Sequence, residues 1–532
     1  MIIKYRDFLQ DIRKYQDISV LKMASESVWR VWKFQNTPEF DLNTQNGKDM
    51  YCVRSFGPRI ALLSAVSNPY RNKVAEIADV IRLSHEYLKI EETITDSEYF
   101  YNVEYPALLK VAAKLSFCGQ IRDLKEVIKL SAAHLFPVRG ISSQWAHVGH
   151  SMDDIERSWA ILKILNVNLK GFLFKKASQY LNCSVLDFYR AGFALFSWAT
   201  ASGLPLGQID ISKFQIEKSV KEKYDIDPDL IRVVAQRLSL PFGALREWHN
   251  DKVLKKLHPL YQKYAPIPLV SMPLIRDVSS NNPDLYIIPS PYHLLWSLSR
   301  YMFDRLYEII PKGRVDIRVE LGNAVSHYFK EVLEFYFPKQ FLSLDEYRFS
   351  KQYPDFLIDV RDRAGILVEI KNSIGPKEFS ALHEIERVGE AWERLFEAFK
   401  QCANFEPGEL EGQLKGRKVP HRLIGIICFH DHLTSEGTGF LSLLEQSGIL
   451  KESRLEGVEI VSLGYFEELL QRYTPQTLFE IISNKWREGK GSIYLHKYIE
   501  DKFKEKSKVP VHYEHLKKEL ENLFPGLKRA KE

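Results

Sequence analysis

Two apolar segments, separated by a short polar turn, constrain the fold of this chain more than any other feature of its sequence. The first is Tyr353–Val360 (YPDFLIDV) and the second is Ile366–Asn372 (ILVEIKN). Both are short and rich in aliphatic and β-branched residues, which predicts β-strands. The turn between them is polar and ends on Gly365. Together these features predict a β-hairpin.

Three charges in this hairpin do not fit a purely hydrophobic core. Asp355 opens the first strand, and Glu369 and Lys371 lie two residues apart on the second, which places them on the same face. Pairing of the two strands can bring Asp355 alongside them. Carboxylates at the rim of a hydrophobic sheet cost desolvation energy unless something compensates them, and a hard divalent cation with oxygen ligands would do so. The alternative interpretation is a solvated hairpin whose charges are exposed.

The residues Pro354-Asp355 and Glu369-Ile370-Lys371 resemble the motif of the PD-(D/E)xK nuclease superfamily, which has the restriction-endonuclease-like fold. The resemblance covers roughly residues 290–470. It implies that Asp355 and Glu369 hold Mg²⁺ (or Mn²⁺) and that Lys371 orients or activates the attacking water. The backbone carbonyl of Ile370 is a further candidate metal ligand.

Two more candidates lie on the helices predicted after and before the hairpin. By the resemblance, Gln401 lies where a late helix often places a polar residue beside the site; the alternative is a solvent-facing Gln. The family usually carries a Glu on the earlier helix, four residues after a Gly, but here Gly322 is followed at that place by Ser326. Glu320 is the nearest alternative, and it lies about 120° around the helix from Ser326. We therefore predict a two-carboxylate site, in which Glu320 reaches the metal only through water.

Hydrophobic patterns predict an alternation of helices and strands on both sides of the hairpin. The predicted elements are a helix over 293–310, a helix over 319–336, a strand over 341–350, the two motif strands, a helix over 377–405, a strand over 422–429, a helix over 440–446, a strand over 458–463 and a helix over 466–473. This order contains the α-β-β-β-α-β core that the resemblance implies, with an additional helix and strand. The predicted fold class is an α/β C-terminal domain with a restriction-endonuclease-like mixed sheet flanked by helices, preceded by a large, mostly α-helical N-terminal region.

The length of 532 residues is too great for a single hydrophobic core. Helical patterns predict a mostly helical domain over residues 1–265, and clustered prolines predict a connector over 266–292. The nuclease-like domain is then predicted over 293–475, with a helical C-terminal extension over 476–532.

The composition indicates the cellular compartment of the protein more clearly than it indicates a binding partner. The net charge of +5 is a weak basic bias that permits a nucleic-acid partner without arguing for one. The five cysteines are scattered without a CxxC pair, which argues against a zinc ribbon or disulfide framework and for a reducing compartment. The sequence contains neither a signal-peptide pattern nor an apolar run of membrane-spanning length. These features predict a cytoplasmic protein without a membrane partner.

Two classes of function follow from these patterns. The first is a Mg²⁺-dependent endonuclease that hydrolyses phosphodiester bonds, with DNA favoured over RNA. In that case the helical N-terminal region would choose the target, bind a protein partner, form a homodimer or restrain cleavage. By analogy, chains with a helical front and a nuclease-like back look like components of bacterial, antiviral defence against foreign DNA. The alternative is a catalytically inactive protein that keeps the fold for nucleic-acid binding or assembly.

Overall fold

The computed structural model describes most of the chain. The described residues are 5–15, 17–34, 44–66, 73–88, 90, 152–201, 206–213, 227–256, 262, 268–276, 282–311, 313, 315–361, 363–371, 394–414, 419–429, 440–442, 444–445, 449–503 and 513–524.

The described residues form two compact units. The division falls between Arg314 and Val315, and the chain returns to the first unit at Lys518. Both units are mixed α/β structures in which helices predominate.

The first unit is built mainly from helices. In chain order they are α1 (Tyr5–Ile12), α2 (Asp17–Phe34), α3 (Gln45–Val66), α4 (Ile77–Leu88), α5 (Met152–Asn168), α6 (Phe172–Leu181), α7 (Val185–Ala201), α8 (Pro228–Arg237), α9 (Phe242–Glu247) with a π-helical turn over Trp248–Leu254, and α10 (Pro291–Ile309). A large cluster of buried apolar side chains from α1 to α4 packs together with residues of α9 and of the sheet.

A four-stranded sheet in the first unit was not predicted. Its strands are β1 (Gln208–Asp210), β2 (Ser239–Pro241), β3 (Leu274–Arg276) and β4 (Leu285–Ile287), in the order β1-β4-β3-β2. Each strand has three residues, which is too short for a period-2 pattern to stand out from a helical one. The proline-rich segment 266–292 contains β3 and β4, which pair with each other and with β1 and β2. This segment and α10 therefore belong to the first unit.

His249 is a buried base in the first unit. Its Nε2 atom lies 3.2 Å from the hydroxyl oxygen of Tyr5. Burial, followed by the charges of Arg13 and Arg59, lowers the pKa of His249 to about 4. The imidazole is therefore neutral in the folded protein at neutral pH.

The stability of the α1 region should fall as the pH drops from about 6.5 to 4. A base whose pKa is lower in the folded state than in the unfolded state stabilises the fold above its unfolded pKa and loses that contribution on acidification. The loss of free energy of unfolding that this pKa shift can cause is at most about 3 kcal/mol. His249→Gln, which does not titrate, should flatten this pH dependence, as measured by hydrogen–deuterium exchange of α1 and of Trp248–Leu254. An equal pH slope in the variant and the wild type would contradict this assignment.

The second unit is organised around a five-stranded mixed sheet. Its strands are β5 (Phe341–Ser343), β6 (Phe356–Val360), β7 (Ala364–Lys371), β8 (Arg422–Phe429) and β9 (Leu455–Ser462), in the order β5-β6-β7-β8-β9. The pairs β5–β6 and β6–β7 are antiparallel, and β7–β8 and β8–β9 are parallel. The helices are α11 (Ile317–Tyr336), α12 (394–403), α13 (Pro407–Glu411), α14 (Ile449–Glu452), α15 (Leu463–Arg472), α16 (Pro475–Arg487) and α17 (Leu495–Phe503). A further helix, α18 (Lys517–Leu523), is assigned to the first unit from Lys518 onward.

Helices lie on both faces of this sheet. On one face, the ring of Phe329 from α11 stacks on Phe356 of β6 and on Phe466 of α15, with centroid distances of 5.6 and 5.1 Å. On the opposite face, α12 approaches β8 closely, since a Cβ atom added at Gly425 would lie 3.4 Å from the Cβ of Cys402. The hairpin strands are therefore buried between two layers of helices.

Two local predictions around the hairpin need correction. The strand predicted over 341–350 ends at Ser343, where a 3₁₀ turn over Leu344–Glu346 interrupts it. Gly365 does not supply the conformational freedom of the turn, because it lies on β7, and among the described residues of the turn Arg363 is left-handed, with φ of 54°. Gly365 instead permits close packing, since a Cβ atom there would lie 2.8 Å from Pro420.

Candidate active site

The strand register places the two motif carboxylates side by side. Phe356 pairs with Val368 in the antiparallel ladder of β6 and β7. Continuing that register by one residue sets Asp355 opposite Glu369. Because side chains alternate between the faces of a strand, Leu367 and Glu369 share one face, and Leu367 is in register with Gly425, against which α12 packs. The carboxylate pair thus lies on the face that α12 covers.

Glu369 is the most deeply buried member of the site, with 3% of its surface exposed. One carboxylate oxygen, Oε1, lies 2.5 Å from the Nζ atom of Lys371. The other, Oε2, is buried and has no hydrogen-bond partner among the residues that the structure describes. Burial, followed by the charge of Asp355, raises the pKa of Glu369 to about 8, because these effects outweigh the opposing charge of Lys371. The site therefore holds a carboxyl group whose charge the protein only partly compensates.

Asp355 lies in the bend that leads into β6. Its Oδ2 atom accepts a hydrogen bond of 2.7 Å from the backbone N–H of Ile370, and this bond orients the carboxylate along β7. Burial raises the pKa of Asp355, the Ile370 N–H and the charge of Lys371 oppose that rise, and the charge of Asp345 adds to it. Two carboxyl groups with raised pKa values in one site indicate a position prepared for a positive charge.

Lys371 is held at the site by two contacts. Besides its 2.5 Å contact with Oε1 of Glu369, its Nζ atom donates a 2.8 Å hydrogen bond to Oε1 of Gln401. Gln401 lies on α12 and donates in turn to the backbone carbonyl of Tyr353, at 3.3 Å. The structure thus brings Asp355, Glu369, Lys371 and Gln401 together. Gln401 is half-buried, and its two hydrogen bonds direct its side chain toward Lys371 and Tyr353.

Glu320 is not brought together with the carboxylate pair. It lies in the first turn of α11, whose Phe329 packs on the sheet face opposite to that of Glu369. Among the described residues, no group of three or more His, Cys, Asp or Glu side chains is arranged to hold a metal ion. Ile370 lies on β7 between Glu369 and Lys371.

Metal affinity should depend on Asp355 far more than on Glu320. We expect Asp355→Ala to weaken Mn²⁺ binding by about tenfold or more, because it removes one of two adjacent carboxylates. Glu320→Ala should leave the affinity within about twofold of the wild type, because Glu320 lies on the helix that packs on the opposite face of the sheet. Isothermal titration calorimetry measures both. Equal losses in the two variants would make Glu320 a direct ligand.

Two participants in the site were not predicted. Asp345, in the 3₁₀ turn after β5, acts on Asp355 through its charge. Cys402, next to Gln401 on α12, is buried, and burial together with the charges of Glu369 and Asp355 raises the pKa of its thiol. Neither residue carries a sequence signal, since the turn and the helix packing alone place them near the motif.

Comparison with known proteins leaves the family of this chain open. In the part of the chain that the structure describes, the helices are too short or too polar to cross a bilayer. The sequence matches no protein-family model, no curated protein and no solved structure.

Proposed function

We propose that the second unit is a metal-dependent endonuclease of the PD-(D/E)xK superfamily, in which Asp355, Glu369, Lys371 and Gln401 form the active site. The observation that carries this proposal is the pair of adjacent, buried carboxyl groups of Glu369 and Asp355, which both have raised pKa values and of which the buried Oε2 atom of Glu369 lacks a donor in good hydrogen-bonding geometry among the described residues. A buried polar atom left without a partner costs about 1–3 kcal/mol, and more when it is charged. A purely structural hairpin gains nothing from such a pair, whereas a cation site requires it.

The order of elements supports the same proposal. Among the described residues, the chain order of helix α11, strands β5, β6 and β7, helices α12 and α13 and strand β8 contains the order α-β-β-β-α-β, with α13 as an additional short helix and β9 as an additional parallel strand. This is the order that the resemblance implies for the restriction-endonuclease-like fold. Asp355 precedes the second strand and Glu369 lies near the end of the third, at the positions where the motif requires them.

The residues of the site fit a divalent metal ion. Hard cations take oxygen ligands, and the site offers the carboxylates of Asp355 and Glu369, with the carbonyl of Ile370 as a further candidate. These groups would hold Mg²⁺ or Mn²⁺. When bound, the ion would supply Lewis-acid chemistry toward the phosphate and lower the pKa of a water molecule.

The protein's own side chains have separate roles in hydrolysis of a phosphodiester. An oxygen–phosphorus bond forms to water while the bond from phosphorus to the leaving oxygen breaks, and negative charge grows on the phosphoryl oxygens. The ammonium of Lys371 would stabilise that charge. The hydrogen bond from Lys371 to Gln401 does not depend on Glu369. It would therefore keep the lysine in place when the Glu369 carboxylate binds a metal ion. The Ile370 N–H fixes the direction of the Asp355 carboxylate.

Nucleic acid is the proposed substrate, with DNA favoured over RNA. The first unit is proposed to choose the target, bind a protein partner, form a homodimer or restrain cleavage, and a role in bacterial defence against foreign DNA is proposed by analogy alone.

Incubation of the full chain with supercoiled plasmid and with single- and double-stranded DNA and RNA oligonucleotides tests this function. We expect cleavage with Mg²⁺ or Mn²⁺ and none with EDTA. Absence of cleavage of every substrate in both metals would contradict the proposal. Binding of nucleic acid without cleavage would instead support the alternative, a catalytically inactive nucleic-acid-binding or assembly protein.

A further inference from the structure

The segment that leads into Asp355 has no regular structure of its own. Residues 347–354, which we call the approach loop, connect the 3₁₀ turn after β5 to Asp355 and contain neither helix nor strand. Such a segment has no ladder of backbone hydrogen bonds to fix it. The position of Asp355 therefore depends on what holds the approach loop.

Glu409 and Gln413 hold the backbone of the approach loop from the side of α13. The carboxylate of Glu409 accepts two hydrogen bonds from Ser350, one from the hydroxyl at 2.6 Å and one from the backbone N–H at 3.1 Å. The side-chain amide of Gln413 accepts a bond of 3.0 Å from the N–H of Arg348 and donates one of 2.6 Å to its carbonyl. Four hydrogen bonds thus fix two residues of the loop, as a neighbouring strand would.

The charge state of Glu409 suits this role. The hydroxyl and the N–H of Ser350 lower the pKa of Glu409, so the group is an ionised carboxylate at neutral pH. An ionised carboxylate only accepts hydrogen bonds, and bonds to it are shorter and stronger than those between neutral groups.

The hold on Ser350 is transmitted to Asp355 by the end of the loop. The ring of Tyr353 lies edge-on to Phe349 and Phe405, with centroid distances of 4.1 and 5.5 Å. Its carbonyl accepts the bond from Gln401, and the carbonyl of Asp355 accepts a bond of 2.8 Å from the N–H of Leu344. The backbone is therefore held at Ser350, at Tyr353 and at Asp355 itself, which leaves little freedom for the Asp355 carboxylate to move away from Glu369.

We propose that Glu409 is a positioning residue for hydrolysis, because its contacts with Ser350 hold the approach loop and thereby set Asp355 opposite Glu369. This inference rests on the proposed nuclease function. Glu409 acts through the loop, since its side-chain interactions are with residues of the loop, Ser350 first among them. Gln413 supports it, donating a bond of 3.2 Å to the carbonyl of Glu409 as well as holding Arg348.

The test compares Glu409→Ala with a matched variant on the same helix. Glu411 also lies on α13, but it accepts a bond from the N–H of Val419 and pairs with His421, outside the approach loop. We expect Glu409→Ala to lower kcat by about tenfold and Mn²⁺ affinity by a similar factor, with the KM for DNA unchanged. Glu409→Gln, whose single amide oxygen keeps part of the bonding, should be intermediate. Glu411→Ala should match the wild type in all three quantities.

Trypsin provides a readout of the loop itself. Lys351 is exposed and follows Ser350 directly, so release of the loop in Glu409→Ala should speed cleavage after Lys351. Wild-type kinetics and Mn²⁺ affinity in Glu409→Ala, or equal losses in Glu411→Ala, would overturn the positioning role. If the wild-type protein binds Mn²⁺ but cleaves no nucleic acid, the nuclease function is overturned. The Mn²⁺ affinities of Glu409→Ala and Glu411→Ala would then still decide whether Glu409 positions Asp355. A wild type that binds no Mn²⁺ would overturn both.

Discussion

Replacing Glu369 by Gln should abolish nucleic-acid cleavage while leaving the protein folded. Gln has the shape of a protonated Glu, and burial together with Asp355 raises the pKa of Glu369 to about 8. Without metal at pH 7, the side chain is therefore largely in the neutral form that Gln imitates. What the substitution removes is the negative charge available to a cation. We expect kcat/KM to fall by about 10³-fold or more.

Asp355→Asn and Lys371→Met should have comparable effects for different reasons. The first removes the other carboxylate, and the second removes the positive charge beside the phosphate. The matched control is Asp359→Asn, because Asp359 lies on β6, four residues after Asp355 and on the same face, but is in register with Gly365 rather than with the motif. Cleavage of plasmid in Mg²⁺ and thermal unfolding in EDTA measure activity and stability separately. Wild-type cleavage rates in the Glu369, Asp355 or Lys371 variants would remove these residues from catalysis.

The strands of the second unit were predictable because their signals are local. The run RLIGIICF was predicted as a strand over 422–429, and the structure has β8 over Arg422–Phe429. The two-residue spacing of Glu369 and Lys371 put both side chains on one face, and their 2.5 Å contact confirms this. Alternation along a strand is a property of the backbone, so a sequence reveals it without tertiary information.

The contacts that complete the site were not predictable, because they join distant parts of the chain. The Glu409 side chain reaches Ser350 across 59 residues, and Gln413 reaches Arg348 across 65. Glu409 lies on the five-residue helix α13, and Ser350 lies in the approach loop before β6. No sequence periodicity connects two such positions. The same limit applied to the first unit, where the three-residue strands β1 and β2 pair with strands far along the chain. Tertiary packing determines which residues and strands pair in these cases. The local sequence around each of them does not indicate its partner.

Replacing Lys485 by Met should destabilise the second unit more than any surface substitution. Lys485 of α16 is fully buried, and its Nζ atom lies 2.5 Å from Oε1 of Glu459 on β9, which is 1% exposed. The lysine also donates a 2.8 Å hydrogen bond to the carbonyl of Gly491. Removing one partner of a buried ion pair leaves the other charge uncompensated and costs about 3–5 kcal/mol. Thermal unfolding of the variant should show a correspondingly lower Tm.

The loss in Lys485→Met should grow with pH. Burial raises the pKa of Glu459 to about 7, against the opposing charge of Lys485. A carboxyl whose pKa is higher in the folded state stabilises the fold fully below its unfolded value, near 4.5, and loses that contribution as the pH rises through the folded value. Without Lys485, nothing opposes the effect of burial on Glu459. The ionised Glu459 carboxylate at pH 8 therefore destabilises the variant more than the wild type. The Tm difference between the two proteins should be larger at pH 8 than at pH 5.

The double variant Glu459→Gln/Lys485→Met separates charge from packing. It should recover much of the stability lost in Lys485→Met, because no unpaired charge is left in the interior. Lys497→Gln is the control, since it breaks an exposed pair with Asp501 on α17 and should leave the Tm unchanged.

Glu459 is in register with Ile426, and Glu369 with the next residue, Ile427, so the two carboxyls point to opposite faces of the sheet. The double variant should therefore retain Mn²⁺ binding, and loss of that binding together with stability would show that the two faces are coupled.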